Sequence, residues 1–241
     1  MTIRITKIVT YYIFVISLPL LLISMNVGFM VNAGNLYEYE FEKYEVAEET
    51  GIESEELSRA AGELIDYLTG TGEFPQIQVV KGGEQIELFT PREITHLEDV
   101  KGIVQFFYLI LWITLAYSIM YIIAGFVLRK RAFLRPLMKG LLCGSVVTLA
   151  LVAFVGIWAL IDFDSLFLRF HLSSFSNDFW QLPSSSYLLK MFPEGFFSDA
   201  ALLLVGDTVV ECLILIVPTW FYLRRNSSSG QPDTQQILAK P

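Results

Sequence analysis

Two histidines are the whole imidazole complement of this 241-residue chain. His96 stands in PREITHLEDVK and His171 in FLRFHLSSFSNDFW, each beside a long apolar run. Neutral imidazole accepts or donates a proton near pH 7, so the pair is the first candidate for general acid–base work. The plain alternative for each is an interfacial histidine with a satisfied hydrogen bond. Asp99, one helical turn after His96, is placed to fix the tautomer of that ring. Glu93 and His96 have the Glu-x-x-His spacing of di-iron bundles, but that architecture needs the motif twice and two further glutamates. Zinc on His96, His171 and one carboxylate is the other metal option. No closer spacing supports it, and no metal or cofactor is expected.

Other polar residues offer weaker chemistry. Asp178, next to Asn177 and Trp180, has the means to bind a cation or orient a histidine, or simply to cap the turn after Ser176. Asp207 and Glu211 lie four apart on one helix face. They could take a substrate ammonium, pair with Arg169 or Lys190, or stay protonated; Glu211, the deeper, reads as structural. Cys143 and Cys212 fall inside apolar runs, where a thiol has a raised pKa and little thiolate. Serines crowd residues 173–186, yet no Gly-x-Ser-x-Gly elbow marks a nucleophile. The P-loop, the dinucleotide fingerprint and His-Glu-x-x-His are also missing from the sequence.

The frame that positions these residues is written in the hydropathy. The chain is 54% hydrophobic, against roughly 45–50% for soluble domains. The excess forms four runs, residues 8–31, 102–128, 136–161 and 200–223, each long enough for a hydrocarbon core of about 30 Å. Arg4 and Lys7 precede the first run. Arg129, Lys130, Arg131, Arg135 and Lys139 fill the connection between the second and third. Arg224 and Arg225 follow the fourth. The positive-inside rule makes these three places cytoplasmic. The expected fold is therefore a mainly α membrane protein with four transmembrane helices, a small α+β extracytoplasmic region and both termini cytoplasmic. Residues 1–31 form the N-terminus and helix 1, and 32–101 an outer region of strands, an amphipathic helix and the His96 helix. Residues 102–161 form helices 2 and 3 with their basic turn, 162–199 an outer loop with His171, 200–225 helix 4, and 226–241 a disordered cytoplasmic tail. The first run exceeds the 7–15 residues of a signal h-region, so it is expected to be retained, although Val31-Asn32-Ala33 resembles a cleavage site. The basic residues are accounted for as topology signals, which leaves no nucleic-acid surface. No cysteine falls in the outer regions, so no outer disulfide forms within one chain.

Between the runs the local signals are mixed. Tyr and Phe alternate with Glu over residues 37–49, the pattern of a strand. Thr50 and Glu53 have capping-box spacing. They precede an amphipathic helix through Leu57, Ala60, Ala61, Leu64, Ile65 and Leu68 that ends at Gly70 and rests either on the membrane or on other outer elements. Residues 76–80 and 84–89 flank Lys81-Gly82-Gly83 as a hairpin. Thr90, Pro91 and Glu93 form a strong helix start, and that helix is expected to run unbroken through His96 and Asp99 into the second span. Within it Gln105, Thr114, Tyr117, Ser118 and Tyr121 should face the bundle interior. In the third span Gly140, Gly144, Ser145 and Gly156 allow close approach.

Two segments resemble a known family. LFTPREITHLEDVK, before the second run, is similar to one signature of the lipoprotein intramolecular transacylases, four-span proteins of Gram-positive bacteria. The second outer loop, with Phe170-His171, Phe175, Asn177-Asp178, Trp180 and then LLKMFPEGFF, is similar to the other. The span arrangement agrees along nearly the whole chain except the tail. The resemblance implies a definite reaction at the outer face of the cell membrane. The substrate is a lipoprotein whose N-terminal cysteine carries a thioether-linked diacylglyceryl group. An acyl chain moves from the sn-2 oxygen to the cysteine α-amine, giving the lyso-form, with no cofactor. Set against what such a reaction needs, the residues suggest roles: His96, oriented by Asp99, as general base and His171 as acid or oxyanion donor, or the reverse. Phe170, Phe175, Phe179 and Trp180 would shape the lipid site, with Asn177, Asp178 and Asp207 also binding substrate. The competing class is a non-enzymatic sensor or assembly protein that binds a partner through the acidic outer region. A carrier built on Asp207 and Glu211 is less supported, because the sequence has no internal repeat.

Overall fold

The computed structural model describes residues 2–226, with side chains from residue 5; the tail over 227–241 and Arg4's side chain lie outside the described residues. Three stretches are long and apolar enough to cross a membrane: Ile5–Asn32, Pro91–Ile161 and Glu194–Arg225. The first lies in α1 (Thr2–Asn32). The second folds back on itself at a short 3-10 turn, Lys130–Phe133, and so holds two helices, α5 (Pro91–Arg129) and α6 (Leu134–Ile161). The third is α9 (Glu194–Arg225).

Close approach in this bundle depends on missing side chains. A Cβ on Gly144 would come within 2.7 Å of Leu18 and one on Gly140 within 3.0 Å of Phe14, both on α1. On the other side of α6, Gly156 makes room for Val205 of α9 at 3.0 Å. In an apolar solvent, packing of this kind takes over the role that water plays for soluble helices. Among the polar residues of α5, Thr114 and Ser118 are buried as expected, whereas Gln105 turns away from the bundle interior to donate to the Leu68 carbonyl at 2.9 Å. Tyr117 donates to the carbonyl of Thr10 at 2.7 Å.

The remaining elements gather into one layer at the end of the bundle where α1 and α6 finish and α5 and α9 begin, an outer layer in its place relative to the bundle alone. They are α2 (Gly34–Lys43), α3 (Val46–Thr50), α4 (Ser54–Thr69), the hairpin β1 (Gln78–Lys81) and β2 (Glu84–Glu87), α7 (Phe163–Ser174) and α8 (Tyr187–Met191). The hairpin is antiparallel, with Lys81 opposite Glu84 across Gly82 and Gly83, both at positive φ. Leu57, Ala60, Ala61, Leu64 and Leu68 of α4 pack with Tyr37 and Phe41 of α2 and with Phe192 and Phe196 into a shared core. That settles what α4 rests on: protein.

Two local expectations fail here. Residues 37–49 are helical, in α2 and α3. Strict alternation would bury Tyr39 and expose Glu40, yet Tyr39 is exposed and Glu40 buried. Tyr37 and Phe41, four apart, share the buried face instead. No neighbouring strand takes this segment's backbone hydrogen bonds, so it satisfies them internally. A left-handed Glu45 then separates α2 from α3. Thr50 makes no capping box either: its hydroxyl donates to the carbonyl of Val46 at 2.6 Å, and α4 begins after Glu53. The outer layer is tied to the bundle where Lys43 and Tyr44 meet Asp199, the tyrosine at 2.6 Å.

Candidate active site

His96 lies in the second turn of α5, and the start of that helix is firmly capped. The Glu93 N–H donates to the Thr90 hydroxyl at 3.4 Å and the Thr90 N–H to the Glu93 carboxylate at 2.7 Å, with Pro91 in the first turn. His171 lies in the last turn of α7, which Asp162 caps by accepting from the Ser165 N–H at 3.1 Å. The two rings stand 6.3 Å apart, centroid to centroid, at 29°. Phe175 presents itself to both, 5.0 Å from His96 and 5.5 Å from His171. Phe167, Phe170 and Trp180 complete the wall around His171 at 4.3, 5.5 and 5.0 Å. Each histidine is only 8% exposed.

The ring nitrogens differ. Nδ1 of His171 lies 2.8 Å from the carbonyl oxygen of Phe167. A carbonyl only accepts, so Nδ1 carries the hydrogen and Nε2 of the neutral ring keeps its lone pair. Nδ1 of His96 is buried with no hydrogen-bond partner among the described residues. Asp99 does not supply one: its carboxylate accepts from the Asn177 amide at 2.8 Å. Asn177 in turn accepts from the Phe179 N–H at 3.0 Å. Asp99 reaches His96 only through its field. Burial pushes the His96 pKa down to about 4, His171 adds to the fall, and Asp99 opposes it. Burial also lowers His171, against the hydrogen bond to Phe167. Both imidazoles are neutral at pH 7.

Glu93 turns out to be structural. It is 1% exposed, and its carboxylate accepts from Thr90, from the Ser186 hydroxyl and from the Leu188 N–H at 3.0 Å. Burial works to raise its pKa, but these hydrogen bonds win and hold the carboxyl below its usual value. No acceptor capacity is left for a metal. The same contacts moor the second outer segment onto α5. A further mooring is Arg92, which donates to the Asp178 carbonyl and stacks over Phe179 at 5.5 Å. The sequence marked Glu93 as a cap but gave no sign of Ser186 or Arg92 as partners, because these contacts join distant segments; the Phe167 carbonyl, four residues before His171, was missed because α7 was expected to be a loop.

A family model for the lipoprotein intramolecular transacylase Lit matches residues 12–197. The chain belongs to the Lit family. Solved structures of Lit from Bacillus cereus superpose closely on this member. One has a TM-score of 0.75 at 21% identity, covering 93% of this chain and 99% of that one. A variant of the same enzyme with one histidine replaced by arginine gives 0.73 at 20% identity, covering 94% and 95%. An uncharacterized protein of Aquifex aeolicus is 27% identical over 68% of this chain and 72% of its own length.

In this Lit-family chain the remaining candidates divide. Phe170, Phe175, Asn177 and Trp180 gather around the histidines or Asp99, whereas the Phe179 ring lies against Arg92. The Asp178 side chain is exposed, and only its backbone joins the network. Asp207 is not gathered. It is exposed on α9, about 15 Å along the helix from Phe197 at 1.5 Å per residue. Glu211 accepts from Asn26 of α1 at 3.0 Å rather than from Arg169 or Lys190, and Lys190 meets Glu49 at 3.4 Å.

Proposed function

We propose that this protein moves an acyl chain within a diacylglyceryl-modified lipoprotein, from the sn-2 ester oxygen to the α-amine of the N-terminal cysteine. In this reading α1, α5, α6 and α9 each cross the bilayer, both termini and the basic turn Arg129–Arg131 are cytoplasmic, and the histidines work at the outer face. His96 and Arg129 lie at opposite ends of α5, about 50 Å apart at 1.5 Å per residue. The segments 32–101 and 162–199 then form the extracytoplasmic part.

One observation carries the proposal: two neutral imidazoles face each other inside an aromatic enclosure, and one of them has a fixed tautomer. The Nε2 lone pair of His171 suits a general base. As the amine nitrogen attacks the ester carbonyl carbon, His171 takes its proton. His96, held neutral, supplies an N–H to the oxyanion that forms. When the C–O bond to glycerol breaks, the proton passes to the departing glyceryl oxygen. An amide has formed, an ester has been lost, and no second substrate is consumed. Asp99 and Asn177 position the wall rather than the His96 ring. Holding amine and ester together in one folded substrate contributes as an entropy trap.

The test uses purified protein in detergent with a synthetic diacylglyceryl-cysteine peptide bearing a free amine. The expected outcome is loss of amine reactivity at constant intact mass, with fragmentation placing one acyl chain on nitrogen. An unchanged substrate with folded protein would overturn the reading. It would favour instead a partner held at the acidic groove of Glu38, Glu42, Glu45 and Glu48.

A further inference from the structure

A groove of about 450 Å³ lies between α5 and α7. Asp99, Gly102, Ile103, Phe106 and Phe107 line it from α5, Phe170 and Ser174 from α7. The α5 residues recur at helical spacing: Ile103 and Phe107 lie on the face that carries His96, with Asp99, Phe106 and Gly102 progressively to one side of it. From Asp99 to Phe107 this lining spans about 12 Å. The volume is that of a small-ligand site. The histidines themselves do not line the groove, but it adjoins them: Phe170 packs on His171 at 5.5 Å and Asp99 lies one helical turn after His96. Past Asp99 its lining is apolar except for Ser174, and Phe106 and Phe170 stay exposed along it. At its middle stands Gly102, where an added Cβ would meet nothing within 4 Å.

We propose that this groove holds the acyl chain that migrates, and that the open space at Gly102 sets the chain length admitted. The proposal rests on the transacylase reading above and names its specificity site. The occupant follows from adjacency: a chain esterified to a carbonyl between the two rings has this apolar path beside it. A hydrocarbon chain already in lipid gains little by transfer into an apolar groove. What the groove supplies is position, holding the carbonyl at His171 rather than letting it swing. Shape then decides which chains react.

The experiment compares wild type with Gly102→Leu and Gly102→Phe on peptides with an sn-2 hexanoyl or hexadecanoyl chain. The ratio of kcat/KM for the long chain to that for the short should fall by about tenfold or more, with the unfolding midpoint held. An unchanged ratio overturns the proposal. A second probe does not depend on turnover: a hexadecanoyl peptide with a photoreactive diazirine on the chain, the label mapped by mass spectrometry. Label on Phe106, Phe107 or Phe170 is expected, and label elsewhere overturns the groove. Label in the groove without wild-type turnover would keep the groove and sink the transacylase reading instead.

Discussion

Glu93 and His96 lie one turn apart on α5, and both are hidden from solvent, but they belong to different kinds of site. Around Glu93 every polar atom is matched: the carboxylate takes hydrogen bonds from Thr90, Ser186 and Leu188. Around His96 the matching stops. Its Nδ1 is buried and unpaired among the described residues, its neighbours are the rings of Phe175 and His171, and the nearby carboxylate of Asp99 is turned to Asn177. A saturated buried carboxylate holds two segments together, whereas a buried imidazole left short of partners has binding capacity in reserve for something that arrives. The first turns of a single helix thus hold a saturated fastening and, in the proposed transacylase, a group for chemistry.

The contrast breaks most sharply at the histidines. His171→Ala should lower kcat/KM on the diacylglyceryl-cysteine peptide by roughly 10³-fold, the scale of a lost general base, with His96→Ala close behind. The amine-loss assay reads both, and full activity in either variant would remove that residue from the chemistry. Glu93→Ala should do the opposite. Stranding the Ser186 and Leu188 donors costs about 3 kcal/mol of stability, read as a lower unfolding midpoint in detergent, while each molecule still folded keeps its activity. Glu93→Gln at the wild-type midpoint but without activity would erase the distinction between fastening and chemistry.

Acid sharpens the same comparison. In the unfolded chain both imidazoles protonate near pH 6.5, whereas the folded rings resist, His96 down to about 4. Unfolding therefore takes up protons in this window, and stability falls with pH from about 6.5 towards 4 and is flat above it. The carboxylates titrate too, so the informative quantity is the difference in midpoint between wild type and His96→Phe across pH 4–8. A difference that stays constant would mean that His96 is not held neutral. The smallest effect is expected at Asn177→Ala, which frees Asp99. Activity should fall by about three- to tenfold, the equivalent of one ordinary hydrogen bond, with the midpoint little changed. A loss as deep as that of His171→Ala would give Asn177 a direct part in the reaction.

Much of this was legible along the chain because it depends on local pattern. Thr90, Pro91 and Glu93 announced the start of α5, since capping is settled within four residues. The apolar runs appeared as long helices, since length and hydropathy suffice. Gly140, Gly144 and Gly156 marked close approaches in the bundle. Residues 37–49 misled because their aromatics fit both a two-residue and a four-residue period, and only the outer core chose which aromatics to bury. The loop 162–199 gave no sign that its first third is the helix α7, which carries His171.

By itself the sequence determined which residues have the means for proton transfer and, through hydropathy, which helices are long enough for a bilayer. It could not pair His96 with His171, direct Asp99 to Asn177 or open the groove at Gly102. Each of these joins segments that no spacing connects, or depends on burial that exists only once α5 and α7 have packed. Desolvation is a property of the assembled enclosure, and it is desolvation that holds both imidazoles below their ordinary pKa.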